Sequence, residues 1–444
     1  MNNLNLPEAF VSRMKTLLGS HYSAFQQSLD TPAPVSIRLN PLKPIPKFEE
    51  EERVPWCKTG RYLTERPSFT FDPLFHAGTY YVQEASSMLI EQAWQKINPG
   101  NKTVRVLDLC AAPGGKSTHL LSLMNNQSLL VSNEIIPNRN RILQENIIKW
   151  GYGNCIITQN KPEDFAPFQN YFDIILTDAP CSGEGLFRKD KDAVTEWSEA
   201  NVAMCAARQK NILQYAATCL KPGGFLIYST CTYEPDENDG NVAALLQSGF
   251  TIIDLGLTEK FPGIEKIIHG FQCYPHKVEG EGFFISVLQK DGGGFEPNYG
   301  FSNSWKLRGD EPSAHYLEDA AGFKPYVKND RHFALPPQVA EALPVLERSL
   351  YIRNAGLLLG EYKGKDFLPS ADLALSINLK KGLPSVELNY EQAIAYLRGE
   401  TPPLSNAAIG WRLAKFEGHY LGWMKLIPGR WNNHYPKEWR ILKR

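Results

Sequence analysis

"TVRVLDLCAAPGGKS", residues 103–117, decides the fold. It reads as an apolar strand ending at Asp108, then a tight turn of small residues, then a helix starting near Lys116. Five more short apolar runs follow: "SLLVSNE" (128–134), "NCIITQN" (154–160), "FDIILTDAP" (172–180), "GGFLIYSTC" (223–231) and "GFFISVLQK" (282–290). Near-continuous apolar strands spaced by helical patterns imply a mostly parallel sheet covered on both faces. One spacer, residues 195–220, sets Ile212, Leu213, Ala216, Ala217 and Leu220 at helical intervals before "KPGG". Residues 86–290 are therefore expected to form an α/β domain.

The remainder is read around that block. A chain of 444 residues exceeds the roughly 250–300 at which a single core stops growing, so further domains are expected. Residues 1–85 form a proline-rich N-terminal piece with a solvated acidic run, "EEEER" (49–53), and "DGGGFEPNYGFSNS" (291–304) reads as a linker. Residues 300–385 and 386–444 are read as two small C-terminal modules. No internal repeat is visible, no apolar run approaches the roughly 18 residues of a membrane span, and the first residues lack a signal peptide's apolar stretch. A cytoplasmic protein is expected. The eight cysteines include no C-x-x-C pair, so a disulfide framework or zinc ribbon is not supported, and no metal is expected. A net charge of −1 gives no global sign of a polyanion, so any nucleic-acid site must be a local patch.

Ligands of open α/β sheets sit outside the carboxyl ends of the strands. The first such loop imitates a phosphate-binding loop, but that motif requires glycine where Cys110 stands. What remains is a turn, Cys110, Ala111, Ala112, Pro113, Gly114, Gly115, Lys116 and Ser117, that brings backbone N–H groups close to a ligand. Glu134 ends the next strand, in position to bind a ribose hydroxyl of a nucleoside cofactor. The alternative reading is that Asp108 and Glu134 only cap helices. Two later strands each end at a cysteine, Cys181 and Cys231.

"DLCAAPGGKS", "DAPCSGEG" and "YSTCTYEPDEN" together resemble the S-adenosylmethionine-dependent RNA 5-methylcytosine methyltransferases. "GEGLFRKD" is similar to their RsmF-like bacterial ribosomal RNA branch. "PVSIRLNPLK" and "YYVQEASSML" resemble that family's N-terminal segment and its lead-in to the cofactor domain, and "YLGWMKLIPGRWNNHYPKEWR" its PUA-like RNA-binding module. The resemblance implies a Rossmann-like methyltransferase sheet, S-adenosyl-L-methionine as cofactor, and ribosomal RNA as partner, with the small subunit as its possible setting. It implies neither DNA nor membrane.

It also explains two cysteines. Carbon 5 of cytosine is a poor nucleophile, so a thiolate first adds to carbon 6; by the family's pattern Cys231 attacks and Cys181 assists release. Asp178, three residues before Cys181, would meet N3 and the exocyclic amine and reject uracil. Lys116 would be a further contact to base or cofactor. Asp108, residues 110–117, Glu134 and Asp178 would line the cofactor site. Asn160 stands where some relatives place an aspartate against adenine. The other six cysteines are read as small buried hydrophobes. From Trp411 to Arg444, eight Lys/Arg face two Glu, interleaved with Trp423, Trp431, Tyr435 and Trp439, a pattern suited to RNA phosphates and bases, with the alternative that about half of these aromatics form the core of a small module. Arg188 and Lys189 would hold the backbone near the target base. A transfer RNA methyltransferase and a non-catalytic ribosome-assembly protein remain as alternatives.

Overall fold

The structure, a computed structural model, describes residues 5–293, 311–403 and 408–443; most of the expected 291–304 linker lies outside them. Its centre is one mixed sheet. Strands β1 (Arg105–Asp108), β2 (Leu129–Asn133), β3 (Cys155–Thr158), β4 (Phe172–Asp178) and β5 (Leu220–Thr230) are parallel, in the order 3-2-1-4-5. Strands β6 (Phe250–Ile252), β7 (Glu265–Lys266), β8 (Phe271–Cys273) and β9 (Phe283–Lys290) build out the β5 edge, with β9 antiparallel to β5. At the opposite edge β10 (Ile352–Ala355) runs antiparallel to β3.

Successive residues on each strand explain why the runs read as continuously apolar. Val106, Ile174 and Leu176 point into one core with Leu120, Leu143 and Trp94 of the covering helices. Leu107 and Ile175 point into the other with Ile212, Leu213, Val339 and Leu343. Each fully buried Leu or Ile contributes about 1.5–3 kcal/mol of transfer free energy, so both faces must be covered. Among the described residues, no helix is long and apolar enough to cross a membrane.

The regions on either side are joined to this block through shared cores. Helices Glu8–Leu18 and Tyr22–Leu29 set Phe10, Met14 and Phe25 against Phe187, Trp197, Tyr233 and Tyr274, over the loops that follow β4 and β5. Strands Gly60–Leu63, Val35–Leu39 and Tyr80–Val82 form a small antiparallel sheet whose Ile37 and Tyr80, with Leu74 of the short helix Pro73–His76, share a core with Ile394, Tyr396 and Trp431 of the C-terminal module. The region expected as a module at 300–385 supplies β10 to the central sheet as well as its own four-stranded sheet, Lys324–Lys328, Arg331–Leu335, Leu357–Lys363 and Asp366–Pro369. Residues 385–433 carry a second four-stranded sheet.

Arg38 ties the N-terminal region to the start of helix Gly115–Leu123. It is fully buried over the Trp150 ring, and it donates to Gln83 Oε1 at 2.8 Å, Thr118 Oγ1 at 2.6 Å and Gly115 O at 3.2 Å. Arg38→Met should strand these acceptors and lower the urea-measured unfolding free energy by roughly 2–3 kcal/mol.

His119 on that helix generates a pH prediction. Burial, reinforced by the Arg38 charge, pushes its imidazole down to about 4, below the usual value near 6.5. Between those values the unfolded chain binds a proton that the folded chain refuses. The corresponding stability is complete above pH about 6.5 and is lost as pH falls towards about 4. From pH 7 to pH 4.5, urea titrations should show the wild type losing on the order of 2 kcal/mol more than His119→Gln.

Candidate active site

The chain changes direction between β1 and β4, which opens a crevice at their carboxyl ends. Asp108 is the last residue of β1 and fully buried; Ser117 Oγ donates to its Oδ2 at 2.6 Å, and its Oδ1 is buried without a hydrogen-bond partner. Burial raises its carboxyl group to about 7. Gly114, at φ 111°, caps helix Gly115–Leu123 in a backbone region that side chains avoid, and a Cβ there would lie 3.2 Å from Leu143 Cδ1, so the helix that carries its first amides to the crevice starts close against its neighbour. The turn is held from outside. Ala111 N–H donates to Asn133 O at 2.8 Å, Arg139 to Ala112 O at 2.9 Å, and Asn146 to Pro113 O at 2.8 Å. Cys110 packs within it, its thiol raised well above the usual range by burial and by the Asp108 charge.

Glu134 follows β2, accepts the Ile136 N–H at 2.9 Å and pairs with Arg139 at 3.5 Å. Its carboxylate has further lone pairs for a ribose diol. The unpartnered Asp108 Oδ1, the helix-start amides and Glu134 suit the ribose and amino-acid ends of S-adenosylmethionine. Asn160 is engaged within the protein. Its carboxamide donates to Tyr351 O at 3.2 Å and accepts from Tyr351 N at 2.9 Å, so it clasps the residue before β10. Asn133, which the sequence did not single out, organises this end: it donates to Leu109 O and Asn160 O and accepts from Thr158 and Asn160.

The other half of the crevice carries the sulfurs. Cys181 follows β4, Cys231 follows β5, and their Sγ atoms lie 3.1 Å apart. The hydrogen bond to Cys231, followed by burial, raises the Cys181 thiol well above its usual range. Cys181 is held as the protonated thiol. Asp178 ends β4, with Oδ1 accepting from Ser229 Oγ at 2.7 Å and Oδ2 paired with Lys116 Nζ at 2.7 Å. Burial pushes the Lys116 ammonium down, but the Asp178 charge, its hydrogen bond and the Cys231 charge outweigh burial and raise it. Lys116 therefore stays cationic beside both groups.

Buried acids brace the two cysteine loops. Glu237 accepts from Ser182 N–H at 3.0 Å and Gln209 at 2.6 Å, and Gln209 also donates to Pro180 O at 2.9 Å. Glu184 accepts from Trp197 Nε1 at 2.8 Å, Tyr233 N–H at 3.1 Å and Arg13, whose guanidinium also pairs with Glu234. Nothing in the local sequence announces that Arg13, far from either loop along the chain, reaches them.

Three expectations about RNA contacts change. Arg188 is buried, donating to Gly280 O at 2.7 Å and pairing with Glu281 at 3.1 Å, while Lys189 pairs with Glu281 at 3.5 Å. Trp423, Trp431 and Tyr435 are buried in module cores, with Trp439 packed partly buried against them, so they are not stacking surfaces. Removing 411–444 would uncover the core under Ile37 and Tyr80. Cys57, Glu91 and His119 set three metal-capable atoms within 4.8 Å, but the buried Arg38 charge acts on the same three groups and opposes a dication.

A glycine turn after β1, an acid after β2 and a 3-2-1-4-5 sheet open at its switch point define a Rossmann-like S-adenosylmethionine-dependent methyltransferase. Residues 94–289 match the family described as 16S rRNA methyltransferase RsmB/F, 6–85 the N-terminal domain of 16S rRNA methyltransferase RsmF, and 383–441 the methyltransferase RsmF PUA domain. Ribosomal RNA small subunit methyltransferase F of Aeromonas salmonicida is 32% identical across 98% of this chain and 98% of that protein. Its counterpart from Shewanella sp. (strain ANA-3) is 31% identical across 98% and 97%. A solved methyltransferase homologue from Pyrococcus horikoshii is 29% identical, with TM-score 0.55 over 65% of this chain and 96% of that one. NSun6 from Pyrococcus horikoshii, 22% identical with TM-score 0.55 over 64% and 98%, shares the fold. The chain belongs to the RsmF family of 16S rRNA methyltransferases.

Gly185 generates a test of how closely the two cysteine loops must approach. Its N–H donates to Cys231 O at 2.7 Å, and a Cβ there would lie 2.7 Å from Cys231 O and 2.5 Å from Gly282 O. Gly185→Ala should displace Cys231 and lower single-turnover methylation by about 10²-fold, with cofactor affinity by calorimetry unchanged.

Proposed function

We propose that this chain methylates carbon 5 of a cytosine in 16S ribosomal RNA, with Cys231 as nucleophile and Cys181 as the thiol that assists release. The observation that carries the reading is the pair of sulfurs 3.1 Å apart beside the Lys116–Asp178 ion pair. Binding RNA alone requires no thiols, and a structural pair would not need to face an open crevice. Asp108, residues 110–117, Glu134 and Asp178 would hold S-adenosyl-L-methionine, which would supply an electrophilic methyl group. Asn160 acts at one remove, by holding Tyr351.

Cys231 loses its proton to solvent, and the Lys116 charge stabilises the thiolate. The thiolate forms a bond to carbon 6, and the ring's electrons move to carbon 5, which takes the methyl group. An Asp178 oxygen accepts from the exocyclic amine, where uracil would present a repelling carbonyl. The carbon-5 proton then leaves, the double bond re-forms and the carbon–sulfur bond breaks. Cys181, already protonated and in contact with Cys231, gives its proton to the departing sulfur and takes up the carbon-5 proton, so both thiols are restored. The cytosine must be unpaired or flipped, at a cost of roughly a few kcal/mol in a duplex.

Two measurements test this. Glu134→Ala should weaken S-adenosylmethionine binding in calorimetry through the lost ribose contacts, and unchanged affinity would remove Glu134 from the site. Cys231→Ala should form no covalent adduct with 16S RNA and transfer no methyl group, whereas Cys181→Ala should accumulate a protein–RNA adduct on denaturing gels. The reverse pattern would exchange the two roles, and methylation of transfer RNA in place of 16S RNA would reassign the substrate.

A further inference from the structure

We infer that a groove along the outer edge of the central sheet is an RNA-docking site that holds the strand flanking the target cytosine; the inference rests on the ribosomal RNA reading above. The groove, of about 660 Å³, runs beside β10 and is lined by Lys328, Arg331, Tyr351 and Arg353, with Gln144 of helix Pro137–Trp150 and Glu347. The four side chains that matter belong to a region with no catalytic residue.

Three observations select RNA as the occupant. Charge is the first: three cationic side chains line the groove against one acid, Glu347, which pairs with Lys328 at 3.5 Å. A groove with a net positive charge suits a phosphate backbone, and in this nearly neutral chain it is a local patch. Stacking is the second. Tyr351 is 59% exposed, among the most exposed large side chains, and the Arg353 guanidinium lies 5.9 Å from its ring centre. Arg353 Nε is buried without a hydrogen-bond partner. An aromatic face beside a guanidinium plane is the arrangement on which unpaired bases stack.

Position is the third. Because β10 is antiparallel to β3, with Ile352 opposite Thr158, Tyr351 emerges at the carboxyl end of the sheet, the end that carries Cys181 and Cys231. Four strand spacings separate β10 from β4, roughly 19 Å at about 4.8 Å each, a span of a few nucleotides. The platform is also fixed in advance. Asn160 binds both backbone groups of Tyr351, and Gln159 N–H adds a bond to Tyr351 O at 3.1 Å. Ordering that is already complete need not be repeated when RNA binds.

The test uses the full-length enzyme, labelled S-adenosylmethionine, and two probes: 16S RNA transcript and small subunits from a strain lacking the gene. Wild-type protein that methylates neither probe would defeat the substrate reading itself. Given wild-type activity, Tyr351→Ala should raise KM for RNA roughly tenfold with kcat little changed, and Tyr351→Phe should restore it. Lys328→Gln with Arg353→Gln should raise KM and flatten the salt dependence of binding by about 1.4 log units per log unit of salt, the share of two phosphates on a single strand. Unchanged KM in Tyr351→Ala with cofactor affinity intact overturns the inference. So does a rise confined to subunits and absent on naked RNA, because a ribosomal protein would then be the occupant. If Tyr351→Ala loses cofactor affinity, the clasp has been broken, and the charge pair, which lies outside it, decides.

Discussion

Strands β4 and β5 are hydrogen-bonded parallel neighbours, so the segments leaving them start about 5 Å apart. Everything chemical in this protein follows from that spacing. Two cysteines separated by fifty residues of chain are brought to 3.1 Å because each occupies the exit of its strand. The next strand over, β1, brings Asp108 and the glycine turn to the same rim, and the turn's helix extends Lys116 back to Asp178. A slip of one residue in β4 against β5 would turn every side chain to the opposite face and separate the sulfurs. The register is secured by Leu176 against Ile227 and Thr177 against Tyr228, all buried.

Holding two loops so close requires polar groups in the interior, and the protein places acids there. Glu184 and Glu237 are fully buried, and Glu234 is raised to about 7 by burial. Buried carboxylates are poor stabilisers compared with well-packed apolar groups, but removing one partner strands the other, so such networks define a geometry more than they add stability. Arg13 extends this network to the N-terminal helices. Those helices therefore help fix the loop after β4: they cover it, and Arg13 pairs with the acids that shape it.

The strands and the ends that matter were legible in the sequence because both depend on local pattern. Six apolar runs became β1 to β5 and β9, and Asp108, Glu134, Asp178, Cys181 and Cys231 stand at the exits where the runs stop. What could not be read was long-range. Arg188 looked like a phosphate ligand because a basic residue beside a catalytic loop has no visible partner; its partner, Glu281, is supplied by the approach to β9. Trp423 and Trp431 looked like stacking surfaces because interleaved aromatics and cations occur both in RNA-binding faces and in the cores of small modules, and sequence spacing does not separate the two. Arg13, Asn133 and Glu237 each act through partners that only the folded chain brings near.

Asn160 shows how one such difference alters a whole end of the site. An aspartate here would carry a charge. The amide instead offers one donor and one acceptor, the pair needed to clasp both backbone groups of Tyr351. A carboxylate could accept from the Tyr351 N–H but would face its carbonyl without a proton to donate. Asn160 and the tenth strand are therefore linked: the amide holds Tyr351, the residue before β10, and Arg353 follows on the strand. The segment that Asn160 clasps is also the segment that lines the basic groove.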